Sequence, residues 1–131
     1  MGTLSIIKTT KGMRFGGYTE KLWDSSGGNS KKDSKDICFC FSLDLFKIYN
    51  FNNNCSSSIY CYYDYGPCFY DSRVGVVFFR INNKNGILFG YTGYKTNHDF
   101  FGKIGEDYEI NNGSSEFSVV ELEVYQILFE N

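Results

Sequence analysis

The chain has 131 residues, a formal net charge of −2 and an aromatic share of 19%. This length fits a single domain spanning residues 1–131, and the weakly acidic balance disfavours nucleic acid as the main partner. No apolar run approaches the roughly 20 residues that a transmembrane segment requires, and the N-terminus lacks the features of a signal peptide. An intracellular protein is therefore predicted, in the cytoplasm or on the cytoplasmic side of an organelle.

The first predicted elements are two strands joined by a tight turn. Residues 4–10 are rich in β-branched and apolar side chains, Lys11-Gly12 suits a turn, and residues 13–19 continue in extended form. The second strand contains the pair Gly16-Gly17, although glycine normally weakens a strand because it loses backbone entropy and offers no side chain to pack. Another constraint must therefore explain the pair.

The middle of the chain carries short strand patterns separated by loops. Residues 37–43 alternate between an apolar face and a face of small side chains, which predicts a central strand covered on both sides. A further strand is predicted to end at Gly66-Pro67, and two more flank a turn at residues 82–86. These three strands cover residues 59–63, 75–81 and 87–91, and the predicted loops cover residues 24–36, 50–58 and 92–113.

The longest predicted strand, residues 117–129, closes the chain. Val120 and Leu122 are expected on one face, with Val119, Glu121 and Glu123 on the other. No stretch of ten or more residues shows the apolar spacing of a helix. The sequence therefore predicts a mostly β fold, a two-sheet antiparallel β-sandwich with few or short helices.

Glu121 and Glu123 form the best candidate pair of catalytic carboxylates. On a strand they would project from one face about 6–7 Å apart, between the spacings of retaining and inverting glycosidases. A hydrolase that uses this pair is therefore one alternative function. The simpler interpretation is a solvated sheet face, or pairing with Lys8 or Arg14 on a neighbouring strand.

A cluster of tyrosines suggests a second alternative, a β-sandwich that binds carbohydrate. Aromatic rings stack on sugars and also form the hot spots of protein interfaces, whereas the simpler interpretation is packing at a sheet edge. The cluster comprises Tyr60, Tyr62, Tyr63 and Tyr65.

The chain has five cysteines, and an odd number without a secretory signal predicts reduced thiols. Their spacing lacks the C-x2-C pair that is typical of zinc sites, so no metal and no other cofactor is predicted. The five are Cys38, Cys40, Cys55, Cys61 and Cys68.

The opening stretch "TLSIIKTTKGMRFGGYTEKLW", residues 3–23, resembles the TLDc domain family, the module of eukaryotic oxidation-resistance proteins. Three later segments follow in the family's order: "KKDSKDICFCFSL" (31–43), "IYCYYDYGPCF" (59–69) and "FSVVELEVYQI" (117–127). Together the four segments span nearly the whole chain. The residues that match the family's structural motif are Gly16, Gly17, Tyr18, Trp23, Gly66, Pro67, Glu121 and Glu123.

The resemblance implies a β-sandwich of two antiparallel sheets with a few helices outside. It also implies protein partners, notably the vacuolar-type proton ATPase, and a protective role under oxidative stress. The mechanism would be docking, so no catalytic residue is predicted, and the expected function is a non-enzymatic interaction module in a larger assembly. On the same basis, Gly16-Gly17 is expected to let the backbone pass beneath the ring of Trp23.

The sequence departs from the family's pattern in two places. The segment "CFYDSRVG", residues 68–75, stands where family members usually carry a glycine-rich run. Family domains also begin with a helical segment upstream of the first hairpin, whereas this sequence starts directly at Met1. Without that cover, apolar surface is expected to be exposed, which favours a partner chain that shields it.

Overall fold

The computed structural model shows a chain built almost entirely from antiparallel strands. The structure describes residues 2–20, 29–31, 38–50, 59–61, 65–71, 76–93 and 108–128. The strands are β1 (Gly2–Thr9), β2 (Arg14–Thr19), β3 (Asn29–Lys31), β4 (Cys38–Ser42), β5 (Lys47–Asn50), β6 (Ile59–Cys61), β7 (Tyr65–Asp71), β8 (Val76–Lys84), β9 (Ile87–Tyr91) and β10 (Glu116–Ile127). One 3-10 helix, Glu109–Asn111, is the sole helical element within these ranges. The prediction of a mostly β fold is therefore confirmed.

The strands are hydrogen-bonded in one continuous series, in the order β3-β6-β7-β8-β9-β10-β1-β2-β4-β5, and adjacent strands are antiparallel. The sequence predicted two sheets, and the structure shows instead a single series whose two halves pack against each other. β10 links the halves, because its residues 116–118 pair with β9 and its residues 119–127 pair with β1. No helix among the described residues has the length and apolar character that crossing a bilayer requires.

β10 contains a β-bulge at the point where it changes neighbours. Lys8 pairs with Glu121 but Thr9 pairs with Val119, so Val120 is the extra residue. Strict alternation predicted that Val119 and Leu122 lie on opposite faces, and this prediction was wrong. Both side chains pack against the core, because the extra residue shifts the alternation by one position.

Aromatic rings from both halves of the series meet in the core. Phe15 of β2 lies edge-to-face against Phe79 of β8 and Phe117 of β10, with ring centroids 5.5 and 5.2 Å apart. Phe69 of β7 packs on Phe79 at 5.1 Å. Such pairs contribute beyond the apolar area that they bury. The other buried members of the cluster are Ile7, Cys38, Cys40, Tyr49, Ile59, Ile81 and Ile110.

The 3-10 helix closes one end of this core. Ile110 is buried in the cluster, and Glu109 accepts hydrogen bonds from Lys47 Nζ at 2.7 Å and from the Tyr49 hydroxyl at 2.9 Å. These bonds tie the helix to the edge strand β5. The sequence predicted an irregular stretch here, because a single helical turn is too short to show periodicity.

Several segments differ from the predicted element boundaries. β8 continues to Lys84, so the turn predicted over residues 82–86 is confined to residues 85–86. Gly66-Pro67 lies inside β7 rather than at a strand end, and Pro67 is buried. The register shifts between Tyr65 and Cys68, and such an irregularity tolerates a proline because no ladder N–H is required there. β3 lies within a predicted loop and β5 was not predicted, since strands of three or four residues leave little pattern.

Close approaches on both faces of β2 explain Gly16-Gly17: the ring of Phe69 at Gly17, and the backbone of Ser5 with the ring of Phe41 at Gly16. Successive residues of a strand point to opposite faces, so each glycine meets a different ring. A Cβ atom at Gly17 would lie closer than 3.0 Å to the ring of Phe69, which is fully buried, and one at Gly16 would overlap the backbone carbonyl of Ser5 and also meet the ring of Phe41. Trp23, the ring expected from the resemblance, lies outside the described residues.

Gly17→Ala should lower the free energy of unfolding by about 1–3 kcal/mol, because the added methyl group overpacks a site whose neighbour is fixed in the core. Gly17→Val should lower the free energy of unfolding by more than roughly 1 kcal/mol, which is the full range of ordinary strand substitutions. Urea denaturation measures both. A double-mutant cycle with Phe69→Leu should show coupling of at least about 0.5 kcal/mol, and an unchanged stability in Gly17→Ala would refute the packing account.

Two buried serines provide a matched pair for a second stability measurement. Ser42 Oγ accepts a hydrogen bond from the Leu45 backbone N–H at 3.1 Å, whereas Ser5 Oγ has no partner among the described residues. Ser42→Ala should therefore lower the free energy of unfolding by about 0.5–1.5 kcal/mol. Ser5→Ala should leave it unchanged or raise it, because an unsatisfied buried hydroxyl is removed. Equal losses in the two variants would contradict this assignment.

Candidate interaction surface

The half of the series formed by β10, β1, β2, β4 and β5 has an outer face, directed away from the core, that is apolar in the middle and charged at one end. Cross-strand register arranges its side chains in three rows. The central row is Glu123, Ile6, Gly16, Phe41 and Ile48; one flanking row is Tyr125, Leu4, Tyr18 and Phe39; the other is Glu121, Lys8 and Arg14. Gly16, Tyr18 and Phe41 are buried, whereas Ile48 at the end of the central row is exposed. The accessible apolar area of this face therefore lies at the β5 end.

Tyr18, a residue of the family motif, is a packing residue of this outer face. Its ring lies 5.4 Å from that of Phe39, which in turn lies 6.3 Å from that of Phe41. Burial, and secondarily the charge of Glu20, raises the pKa of Tyr18. Its buried hydroxyl has no hydrogen-bond partner among the described residues. The phenol therefore stays neutral at physiological pH and contributes through its ring.

The turn between β4 and β5, residues 43–46, presents apolar side chains at the edge of the outer face. Phe46 is 94% exposed and Ile48, just after the turn, is 63% exposed. Leu43 and Leu45 are exposed as well. Phe46 has a φ of 53°, a conformation that side-chain-bearing residues seldom adopt, so the turn holds this ring in solvent at a conformational cost.

Asp44 fixes this turn to β2. Its carboxylate accepts hydrogen bonds from the Arg14 backbone N–H at 2.6 Å and from the Arg14 guanidinium at 2.9 and 3.1 Å. The backbone N–H of Leu43 donates to the Arg14 carbonyl at 3.0 Å. The exposed apolar side chains therefore stand on a base that is already ordered, which reduces the conformational entropy lost on binding.

Glu121 and Glu123 both lie exposed on the outer face. Glu121 is opposite Lys8, one of the two partners that the sequence suggested, and Glu123 is opposite Ile6. The hydroxyl of Tyr125 donates a hydrogen bond to Glu123, and this bond is the main cause of a raised pKa of Tyr125. The two carboxylates thus share one face of the strand, as predicted from their spacing.

An open cleft of about 540 Å³ lies beside the turn between β1 and β2. Its walls come from that turn, from β9, from the start of β10 and from the segment that follows the 3-10 helix. The amide of Asn111, which is buried there, donates to the carbonyls of Ser114 and Glu116 at 2.9 and 3.1 Å. Neither Glu121 nor Glu123 lines this cleft, so the proposed catalytic pair is separate from it.

Several candidate residues fall outside the described residues. Trp23, Tyr62 and Tyr63 lie entirely outside the described residues. The backbones of Tyr60 and Tyr65 lie in β6 and β7, but their side chains also lie outside the described part. The carbohydrate-binding alternative therefore stays a prediction.

Three of the cysteines, Cys38, Cys40 and Cys68, are buried and unbridged. Burial raises the pKa of Cys40 well above its usual value, and the neighbouring thiols of Cys38 and Cys68 raise it further. A thiol that stays protonated and inaccessible reacts slowly with oxidants. Cys40 therefore acts as a small apolar residue of the core, and Cys38 and Cys68 are buried as well.

The model of the TLDc domain family matches residues 1–128, almost the full length of the sequence. The chain belongs to the TLDc domain family. No curated protein matches it. The Gly16-Gly17 strand β2 and the closing strand β10, which carried the resemblance, lie on either side of β1 and both contribute to the outer face of this TLDc domain.

Sequence reasoning missed Phe46, which is the most exposed aromatic residue among those that the structure describes. The available signal was the run "LDLF", residues 43–46, in which an acidic residue interrupts apolar ones directly after a predicted strand. Periodicity cannot reveal exposure in a turn, because the left-handed conformation at Phe46 is not encoded in a repeating pattern.

The pKa of Asp44 is lowered by hydrogen bonds from Arg14, first that of the backbone N–H and then those of the guanidinium. Asp44 should therefore stabilise the fold above its unfolded pKa of about 3.9, and this contribution should disappear as pH falls through the folded value. In the Arg14→Ala variant, the pKa of Asp44 should rise only part of the way toward its unfolded value, because the backbone N–H of residue 14 still donates a hydrogen bond to the carboxylate. Carbon-13 NMR titration of the carboxylate measures this, and a complete return to the unfolded value would contradict the geometry.

Proposed function

We propose that this TLDc domain is a non-enzymatic protein-interaction module, an accessory or structural component of a larger assembly inside the cell. The observation that carries the proposal is the turn between β4 and β5, where Phe46 is 94% exposed on a base fixed by Asp44 and Arg14. Aromatic anchors that enter a pocket of the partner are the commonest source of interface affinity.

The surroundings of Phe46 support this function. Leu43, Leu45 and Ile48 add exposed apolar area beside the ring. Two ion pairs border that area, Arg14–Asp44 at 2.9 Å and Lys47–Glu109 at 2.7 Å. Because these charges already have partners, a docking protein would cover them at a lower desolvation cost than isolated charges. The apolar centre would then supply most of the affinity.

Family membership supports the vacuolar-type proton ATPase as the partner and protection under oxidative stress as the biological context. Such a role places the domain in the cytoplasm or on the cytoplasmic side of an organelle. The domain would act by docking onto the assembly, with the ring of Phe46 inserted between side chains of the partner.

Phe46→Ser should weaken binding to purified vacuolar-type proton ATPase at least about tenfold, because truncation of an aromatic anchor typically removes about 2 kcal/mol or more. Biolayer interferometry with the immobilised chain measures the Kd. Ile87→Ser is the matched control, because Ile87 is also exposed but lies on the hairpin of β8 and β9. This control should bind as tightly as the unmodified chain.

Thermal unfolding of both variants checks that each retains its fold. The absence of binding by the unmodified chain would refute the proposed partner. An equal loss in Phe46→Ser and Ile87→Ser would refute the proposed surface.

A further inference from the structure

β10 extends beyond the end of its neighbour β9. Ser118 pairs with Phe89, and continuing that register would bring Val120 beside Ile87, the first residue of β9. Residues 121–125 therefore extend past the hairpin of β8 and β9, while their other edge pairs with β1. Among the described residues, no strand pairs with the edge of β10 that faces away from β1 beyond Ser118.

Val119 and Leu122 of this segment pack against the core, but three other apolar side chains along the edge are open to solvent. Val120 is 57% exposed, Val124 is 53% exposed and Tyr125 is 46% exposed. A long strand edge with exposed apolar side chains is a template for pairing with another strand. Natural proteins often protect such edges with lysine, proline or a bulge. Residues 119–125 contain no lysine or proline, and the bulge at Val120 lies at the start of the segment and leaves residues 121–125 regularly paired with β1.

The charges on this part of β10 favour a basic strand beside it. Glu121 and Glu123 project from the outer face two residues apart, and only Glu121 has a cation opposite it on β1, namely Lys8. An added strand with lysine or arginine at two positions, also two residues apart, would place a cation beside each carboxylate. Between these positions, Leu122 and Val124 on the opposite face favour apolar or β-branched residues.

A second copy of the chain fits this edge less well. Antiparallel pairing of β10 with β10 of another copy, centred near Leu122, would place Glu121 of one copy opposite Glu123 of the other. Like charges at directly opposite positions destabilise a strand pair. The carboxylates therefore favour a different protein over self-association.

We propose that the free edge of β10, residues 119–125, binds an extended segment of a partner protein that alternates basic with apolar residues and adds to the sheet as a further strand. Main-chain hydrogen bonds to β10 supply the affinity, and Glu121 and Glu123 supply the sequence preference. This surface is separate from the turn that carries Phe46, because β1 and β2 lie between β10 and β4. The two proposals can therefore succeed or fail independently.

The test uses an acetylated and amidated heptapeptide that alternates lysine with valine, added to the full chain. NMR amide shifts and slowed amide hydrogen exchange should localise to residues 119–125. A matched peptide with glutamate in place of lysine should bind about tenfold more weakly. A fully N-methylated copy of the lysine peptide should not bind, because it cannot donate main-chain hydrogen bonds.

Two variants separate this edge from the rest of the surface. The double variant Glu121→Gln/Glu123→Gln should bind the lysine peptide about fivefold more weakly, because opposite-charge cross-strand pairs are lost while the backbone edge remains. Phe46→Ser should bind the peptide as tightly as the unmodified chain, whatever its effect on binding to the proton ATPase.

Three outcomes would overturn the proposal. The first is equal affinity for the lysine and glutamate peptides, and the second is binding of the N-methylated copy. The third is protection of residues 119–125 without peptide that rises with protein concentration, together with a dimer in sedimentation equilibrium. That result would assign the edge to a second copy of the chain.

Discussion

The packing of the Phe69 ring against the bare backbone of Gly17 determines how closely the two halves of this domain approach one another. Phe69 of β7 reaches β2 from the core side, and Phe41 of β4 reaches it from the outer side. A side chain at either glycine would push one ring away. Because Phe69 also packs on Phe79, such a displacement would propagate into the aromatic centre that joins the two halves of the sheet. The glycines weaken β2 as an isolated strand, and the packing that they permit offsets that loss.

The same strand supports the candidate interaction surface. Arg14, the first residue of β2, holds the turn between β4 and β5 through its backbone and its guanidinium. The position of Phe46 is therefore set by a strand that packs against the core through Phe15 and Gly17. A conformationally unfavourable φ at Phe46 persists because hydrogen bonds on both sides of the turn fix the backbone. Stability at the centre and preorganisation at the surface thus depend on one element.

The parts of the fold that could be predicted from sequence are those with a local pattern. The hairpin of β1 and β2 and the strand β9 show alternation and turn residues, and they lie where the sequence indicated. The bulge at Val120 could not be predicted, because it depends on where β10 exchanges β9 for β1 as its neighbour. The strand containing Pro67 was missed because an irregular pairing tolerates a residue that normally ends strands. The pair Glu121 and Glu123 was found from spacing, whereas the exposure of Phe46 arises from backbone geometry.

The bulge also connects the core to the free edge of β10. The extra residue Val120 lets Val119 and Leu122 face the core from two segments of one strand, and a bulge bends the strand that contains it. The second segment continues along β1 past the end of β9, and its other edge has no partner strand among the described residues. Pairing with β1 keeps the segment extended, so an added strand meets an edge that is already ordered and loses less entropy on binding. The accessible edge is therefore a direct consequence of how β10 completes the core.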